Sequence, residues 1–99
     1  MKIANDIRAI LNQDNWIKGT YAQDRHGNEV SSFSLYACKF CLGGACLSLH
    51  EKYSSLERET FYAAIRDHIG KGIAEFNDDP NTTWDDIDQL LKHIETLRD

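Results

Sequence analysis

Residues 37–53 constrain the fold of this chain more than any other stretch, because their apolar residues recur at a helical interval around a pair of glycines. At about 100° per residue, Cys38, Cys41, Leu42, Ala45, Cys46, Leu49 and Tyr53 share an arc of roughly 140°. Phe40 and Leu47 lie on the opposite side, so a helix over 37–53 would be apolar nearly all round and would have to be central and buried. Gly43 and Gly44 each cost about 1 kcal/mol in a helix relative to alanine. Their presence predicts that another backbone comes close there.

The remaining elements follow from period and punctuation. Ile3, Ile7, Ile10 and Leu11 form the inner face of a first helix, which the polar residues 12–15 end. Residues 16–36 lose the helical period, and Arg25-His26-Gly27-Asn28 suits a tight turn, so a small β-hairpin or extended loop is expected at about 16–36. Ser54 and Glu57 have the spacing of a capping box and start a third helix, with Phe61, Ile65, His68, Ile69, Ile73 and Phe76 inward. Gly70 and Gly72 mark a kink, a close contact or a break in it. Residues 77–81 read as a loop, and Thr82 or Thr83 caps a last helix from about Trp84 that turns Trp84, Ile87, Leu91 and Ile94 inward, with Leu90 and Leu97 at the margin. The predicted architecture is mainly α: four to five helices around the central buried helix 37–53. A length of 99 residues suits one core, hence a single domain over 1–99.

Charge narrows the class of partner. Residues 75–99 hold eight acids against Lys92 and Arg98, which puts −6 of a total −5 in that quarter and leaves residues 1–74 near +1. Such a balance argues against direct nucleic-acid binding and against anionic membrane surfaces, and it favours a partner with a basic surface. With no apolar run of membrane-spanning length and no hydrophobic leader at the N-terminus, a cytoplasmic location is expected. Three cysteines between positions 38 and 46 do not make a disulfide framework, so reduced thiols are expected.

Several constellations could carry chemistry. Cys38, Cys41, Cys46 and His50 have a spacing near that of a zinc knuckle, but on one helix His50 falls outside the arc of the thiols. Buried structural thiols and no cofactor are therefore the main expectation, with the metal set, or a thiol nucleophile at Cys41 or Cys46, as the alternative. His68 is read as a core histidine and His26 and His93 as surface residues. Asn77, Asp78 and Asp79 offer oxygen ligands in a helix-capping turn that lacks the alternation of an EF-hand. With Asp85, Asp86 and Asp88 the two acids form a negative patch that could dock on a basic surface. Tyr21 and Tyr36, in the non-helical segment, are further candidates for partner contact. Trp16, Lys18, Tyr21 and Arg25 could instead hold a nucleotide-like ligand, since cations meet phosphate and bases stack on aromatics.

Trp16, Gly19-Thr20-Tyr21-Ala22, Phe40-Cys41-Leu42-Gly43-Gly44-Ala45, Phe76-Asn77-Asp78 and the closing helix together resemble a bacterial and phage domain-of-unknown-function family, number 6197, from Trp16 to about Ile94. The resemblance implies a small helical domain and brings no activity to carry over. Joined to the localised negative charge, it leads to the expectation of a non-enzymatic binding protein, phage or mobile-element encoded, that inhibits or sequesters a host protein such as one of anti-phage defence. A nucleotide-like signal binder and a Cys/His metal or thiol enzyme are the alternatives, and a homo-oligomer is compatible with each.

Overall fold

The computed structural model describes residues 1–98, and among them the chain forms five helices and one two-stranded sheet. The outer frame is made by the two ends. Helix α1 (Lys2–Ile10) turns Ile3, Ala4 and Ile7 inward against α5 (Trp84–Glu95), which answers with Ile87, Leu90, Leu91 and Ile94. Leu90, expected at the margin, is buried in this seam, while Trp84 stays half-buried. Arg8 adds an ion pair to Glu95 at 2.7 Å and one to Asp88 at 3.5 Å across the same seam. Exposed pairs of this kind contribute about 1 kcal/mol or less, so the apolar stripe holds the two helices together.

The centre of the molecule is occupied by α2 (Leu42–Ser48), shorter than the helix expected over 37–53. Its first five residues, Leu42 to Cys46, are buried. Upstream the backbone is extended instead: Lys39–Phe40 forms strand β2, which pairs antiparallel with β1 (Ala22–Gln23). Distant partners take the hydrogen bonds a longer helix would have needed. The Cys38 amide donates to Gln23, the Phe40 amide to Asn15 and the Cys41 amide to Tyr21, while the Phe40 carbonyl accepts from Ile17. Cys41 then caps α2, its thiol accepting from the Gly44 amide at 3.2 Å. Burial of Cys41, Leu42, Ala45, Cys46 and Tyr53 agrees with the apolar arc, but Cys38 is exposed on the loop before β2.

The close backbone approach expected at the glycine pair is found at Gly44. A Cβ there would stand 1.9 Å from the Tyr21 carbonyl oxygen, whereas at Gly43 it would make ordinary contacts with the Tyr21 ring at 3.6 Å and the Cys41 sulfur at 3.9 Å.

Within 16–36, residues 24–28 make the expected tight turn. Gly27 adopts φ 84°, the Asp24 carboxylate accepts from the His26 and Asn28 amides, and Gln23 bridges Glu29. Helix α3 (Ser55–Ile69) starts at the Ser54–Glu57 capping box and buries Phe61 and Ile65. It ends at Gly70, left-handed at φ 76°, and Gly72 starts a separate helix α4 (Ile73–Asp78), so the two glycines mark a break. Asn77 and Asp78, expected in a loop, are the last residues of α4. His68 is exposed rather than in the core and stacks on His93 of α5 with ring centroids 3.7 Å apart. The inward positions of α3 are taken by the apolar residues four apart, Phe61 and Ile65, followed by half-buried Ile69. Thr83 caps α5 in a box with Asp86.

These placements predict distinct thiol reactivities. Burial pushes the Cys41 thiol up and the Cys46 thiol up to about 11, so both are protonated at neutral pH as well as shielded. Native-state labelling at pH 7.5 is expected to modify Cys38 quickly and the other two only on unfolding. Fast labelling of Cys46 would contradict an interior α2.

Candidate functional site

The loop 16–21 crosses the central helix, and one buried side chain holds it there. Asn77, only 1% exposed, accepts at Oδ1 from the Trp16 indole N–H at 2.7 Å and from the Leu42 amide at 2.9 Å. Its Nδ2 donates to the Ile17 carbonyl at 3.1 Å and to Asp78 Oδ1 at 2.9 Å. All four hydrogen-bonding positions of the amide are filled, as a buried polar group requires. Lys18 completes the tie by donating to the Asp79 and Thr82 carbonyls at 2.6 and 2.7 Å. The Gly19 amide donates to Asp78 Oδ1 at 3.0 Å, which fixes that carboxylate from a second side.

Between this loop, α2, α3 and α4 lies a groove of about 460 Å³ whose walls include Tyr21, Glu29, Cys41, Gly43, Tyr62 and Asp78. Tyr62, in hydrogen-bond contact with Cys46, has its hydroxyl pushed far up by burial, so it stays neutral. Glu29 accepts from the Thr20 hydroxyl at 2.7 Å. A second, shallower trough shares Tyr21, Glu29 and Leu47 with the first and continues past Val30 to Phe33. The loop beyond it carries exposed apolar side chains: Phe33 at 58%, Leu35 at 100% and Tyr36 at 79%, with Tyr21 at 56% at the rim of both hollows.

The residues singled out from sequence are distributed unevenly around this site. Tyr21 and Asp78 line the groove, and Tyr36 stands on the apolar loop. Among the other acids, Asp79 pairs with Lys71 at 2.9 Å and Asp88 with Arg8 and Lys92. Asp86 serves the α5 cap, so Asp85 is left exposed at the start of that helix. The acidic patch is therefore largely engaged within the fold. Trp16 and Lys18 are spent on Asn77 and on backbone carbonyls, and Arg25 sits exposed in the turn against His26, so these three do not join Tyr21 around one ligand. Cys38, Cys41, Cys46 and His50 are likewise apart in role: loop, cap, helix interior and exposed ring against Phe33 at 4.3 Å. Among the described residues no three His, Cys, Asp or Glu side chains gather to hold a metal ion. Glu29, Gly43 and Tyr62 have no motif to mark them in the sequence, because the groove forms only when three helices and a loop meet.

Electrostatics of the surrounding acids predict how the fold responds to pH. The Asn81 amide and then Lys71 hold the Asp79 carboxyl below its ordinary value, and Lys52 followed by Tyr53 does the same for Asp6. Groups with lowered folded pKa values stabilise the fold above the unfolded value of about 3.9, and that contribution is lost as pH falls through the folded one. Chemical denaturation at stepped pH is expected to show stability falling below about pH 4, with Asp6→Asn and Asp79→Asn each flattening the decline. A decline of unchanged slope in both variants would place the pH dependence elsewhere.

Residues 2–96 match the model of a family described as a family of unknown function (DUF6197). No curated protein and no solved structure matches the chain. Among the described residues no helix is long and apolar enough to cross a membrane.

Proposed function

For a chain that belongs to the family of unknown function DUF6197, we propose the role of a non-enzymatic binding protein that occupies another protein. The observation that carries this reading is the run of exposed large apolar side chains at Phe33, Leu35 and Tyr36 on one loop, with exposed Tyr21 lining the same trough as Phe33. Exposed apolar patches on small domains mark interaction surfaces, and aromatic residues are enriched in the buried centre of such surfaces. Two further features favour binding over thiol chemistry: burial raises the pKa of both interior cysteines, and His50 packs on Phe33 rather than against either of them. In its finer form the reading is of a phage or mobile-element chain that sequesters a host protein with a basic surface, the acids of residues 75–99 that no cation of the described fold pairs, Asp78 and Asp85 among them, supplying the attraction.

The test is co-purification from host lysate followed by reconstitution with the isolated partner. A stoichiometric complex that survives gel filtration, and that weakens at least about tenfold when Leu35→Ser and Tyr36→Ser are combined, is the expected result. A complex indifferent to both substitutions, or a stable dimer of the chain that covers this loop, would overturn the reading.

A further inference from the structure

We propose that the groove beside Tyr21 receives one arginine side chain of the partner protein, its guanidinium between Glu29 and Asp78 and its aliphatic stem along Tyr21 and Tyr62. This deepens the binding-protein reading and rests on it. Asp6, Asp79, Asp88 and Glu95 each pair with a lysine or arginine of the fold. Glu29 and Asp78 have no ion pair among the described residues, and both line the groove, whose walls contain no lysine or arginine. An unbalanced pair of carboxylates in a partly enclosed hollow sets up a negative potential that draws cations and repels phosphates or carboxylates.

Asp78 is also held ready. Its Oδ1 accepts from the Gly19 amide and from Asn77 Nδ2, both anchored in the fold, while its Oδ2 has no hydrogen bond among the described residues. Glu29 is arranged alike, with Oε1 on the Thr20 hydroxyl and Oε2 without a hydrogen bond among the described residues. Two carboxylates, each restrained at one oxygen and open at the other, suit a donor that presents several N–H groups in one plane, which is the geometry of guanidinium. The remaining walls match the rest of the side chain. Tyr21 is exposed for stacking beneath a planar cation, and Tyr62, Leu47 and Ile73 provide apolar surface for methylenes. Gly43 keeps the floor open under the Tyr21 ring.

The test uses the whole chain, isotope-labelled, titrated at low salt with a blocked pentapeptide bearing a central arginine and with its citrulline counterpart, which keeps the shape without the charge. Expected are amide shifts confined to Gly19, Tyr21, Gly43 and Asp78, and affinity for the arginine peptide at least about tenfold higher than for the citrulline peptide. Glu29→Gln, which can still accept from Thr20, and Gly43→Ala, whose Cβ makes an ordinary 3.6 Å contact with Tyr21, should each weaken the arginine peptide about tenfold without lowering the melting temperature. Equal affinity for the two peptides, shifts elsewhere, or no binding would overturn the proposal. Free arginine amide binding as tightly as the peptide would overturn it in favour of a small-molecule ligand. A partner complex that Glu29→Gln and Gly43→Ala leave intact would refute the groove while the binding-protein reading survives.

Discussion

Gly44→Ala is expected to lower the unfolding free energy by about 3 kcal/mol or more, a large fraction of the roughly 5–15 kcal/mol that holds a domain folded. The added Cβ would stand 1.9 Å from the Tyr21 carbonyl oxygen and 2.7 Å from its carbon, and these are backbone atoms with no rotamer to move into. That carbonyl is held in place by the Cys41 amide at 3.2 Å, so relief requires displacing loop 16–21 from α2. Intrinsic helix propensity works the other way, favouring alanine by about 1 kcal/mol, which makes the sign of the result diagnostic. Gly43→Ala is the matched control, because its Cβ finds ordinary contact at 3.6 Å and should leave stability within about 1 kcal/mol of the parent. Urea denaturation of the two variants side by side reads the difference. Equal stabilities would mean that Tyr21 does not lie against the α2 backbone.

Features set by residues close in the chain were legible in the sequence, and those set by distant partners were not. Both helix starts marked by caps are found, at Ser54 and, of the two candidates Thr82 and Thr83, at Thr83, since a cap is an interaction among residues three apart. The interior character of Cys41, Leu42, Ala45 and Cys46 was legible for the same reason. The length of that central helix was not. Whether residues 38–41 are extended or helical depends on hydrogen-bond partners at positions 15, 17, 21 and 23, and apolar periodicity does not report on them. The helix-three glycines left three outcomes open, and the left-handed conformation of Gly70 decides for a break. The site follows the same division: Tyr21 and Asp78 stood out as an aromatic in a loop and an acid near a helix end, whereas Glu29 and Tyr62 acquire meaning only from the hollow they share. Acid-rich composition pointed to residues 78–88 as a surface for docking. The structure uses most of those carboxylates for caps and ion pairs, which shifts attention to the acids that lack a cation.

Asn77→Ala is expected to be the second severe change, at about 3 kcal/mol or more, although it removes a polar residue from an apolar interior. The reason is what remains behind. The Leu42 amide belongs to the first turn of α2 and has no acceptor there, and the Trp16 indole N–H points at the same vacated position, so one buried and one part-buried donor are left unsatisfied, the buried one at about 1–3 kcal/mol. The Ile17 carbonyl loses its donor as well. Trp16→Phe tests the account from the other side: in the parent it removes one donor and should cost about 1–2 kcal/mol, but in the Asn77→Ala background it removes an unsatisfied group and should cost less by about 1 kcal/mol or more. Additive losses would mean that the two side chains do not share a hydrogen bond in solution. Because Asn77 also steadies Asp78, the same substitution reaches the groove, and any weakening of cation binding there must be read at a temperature where the variant is fully folded.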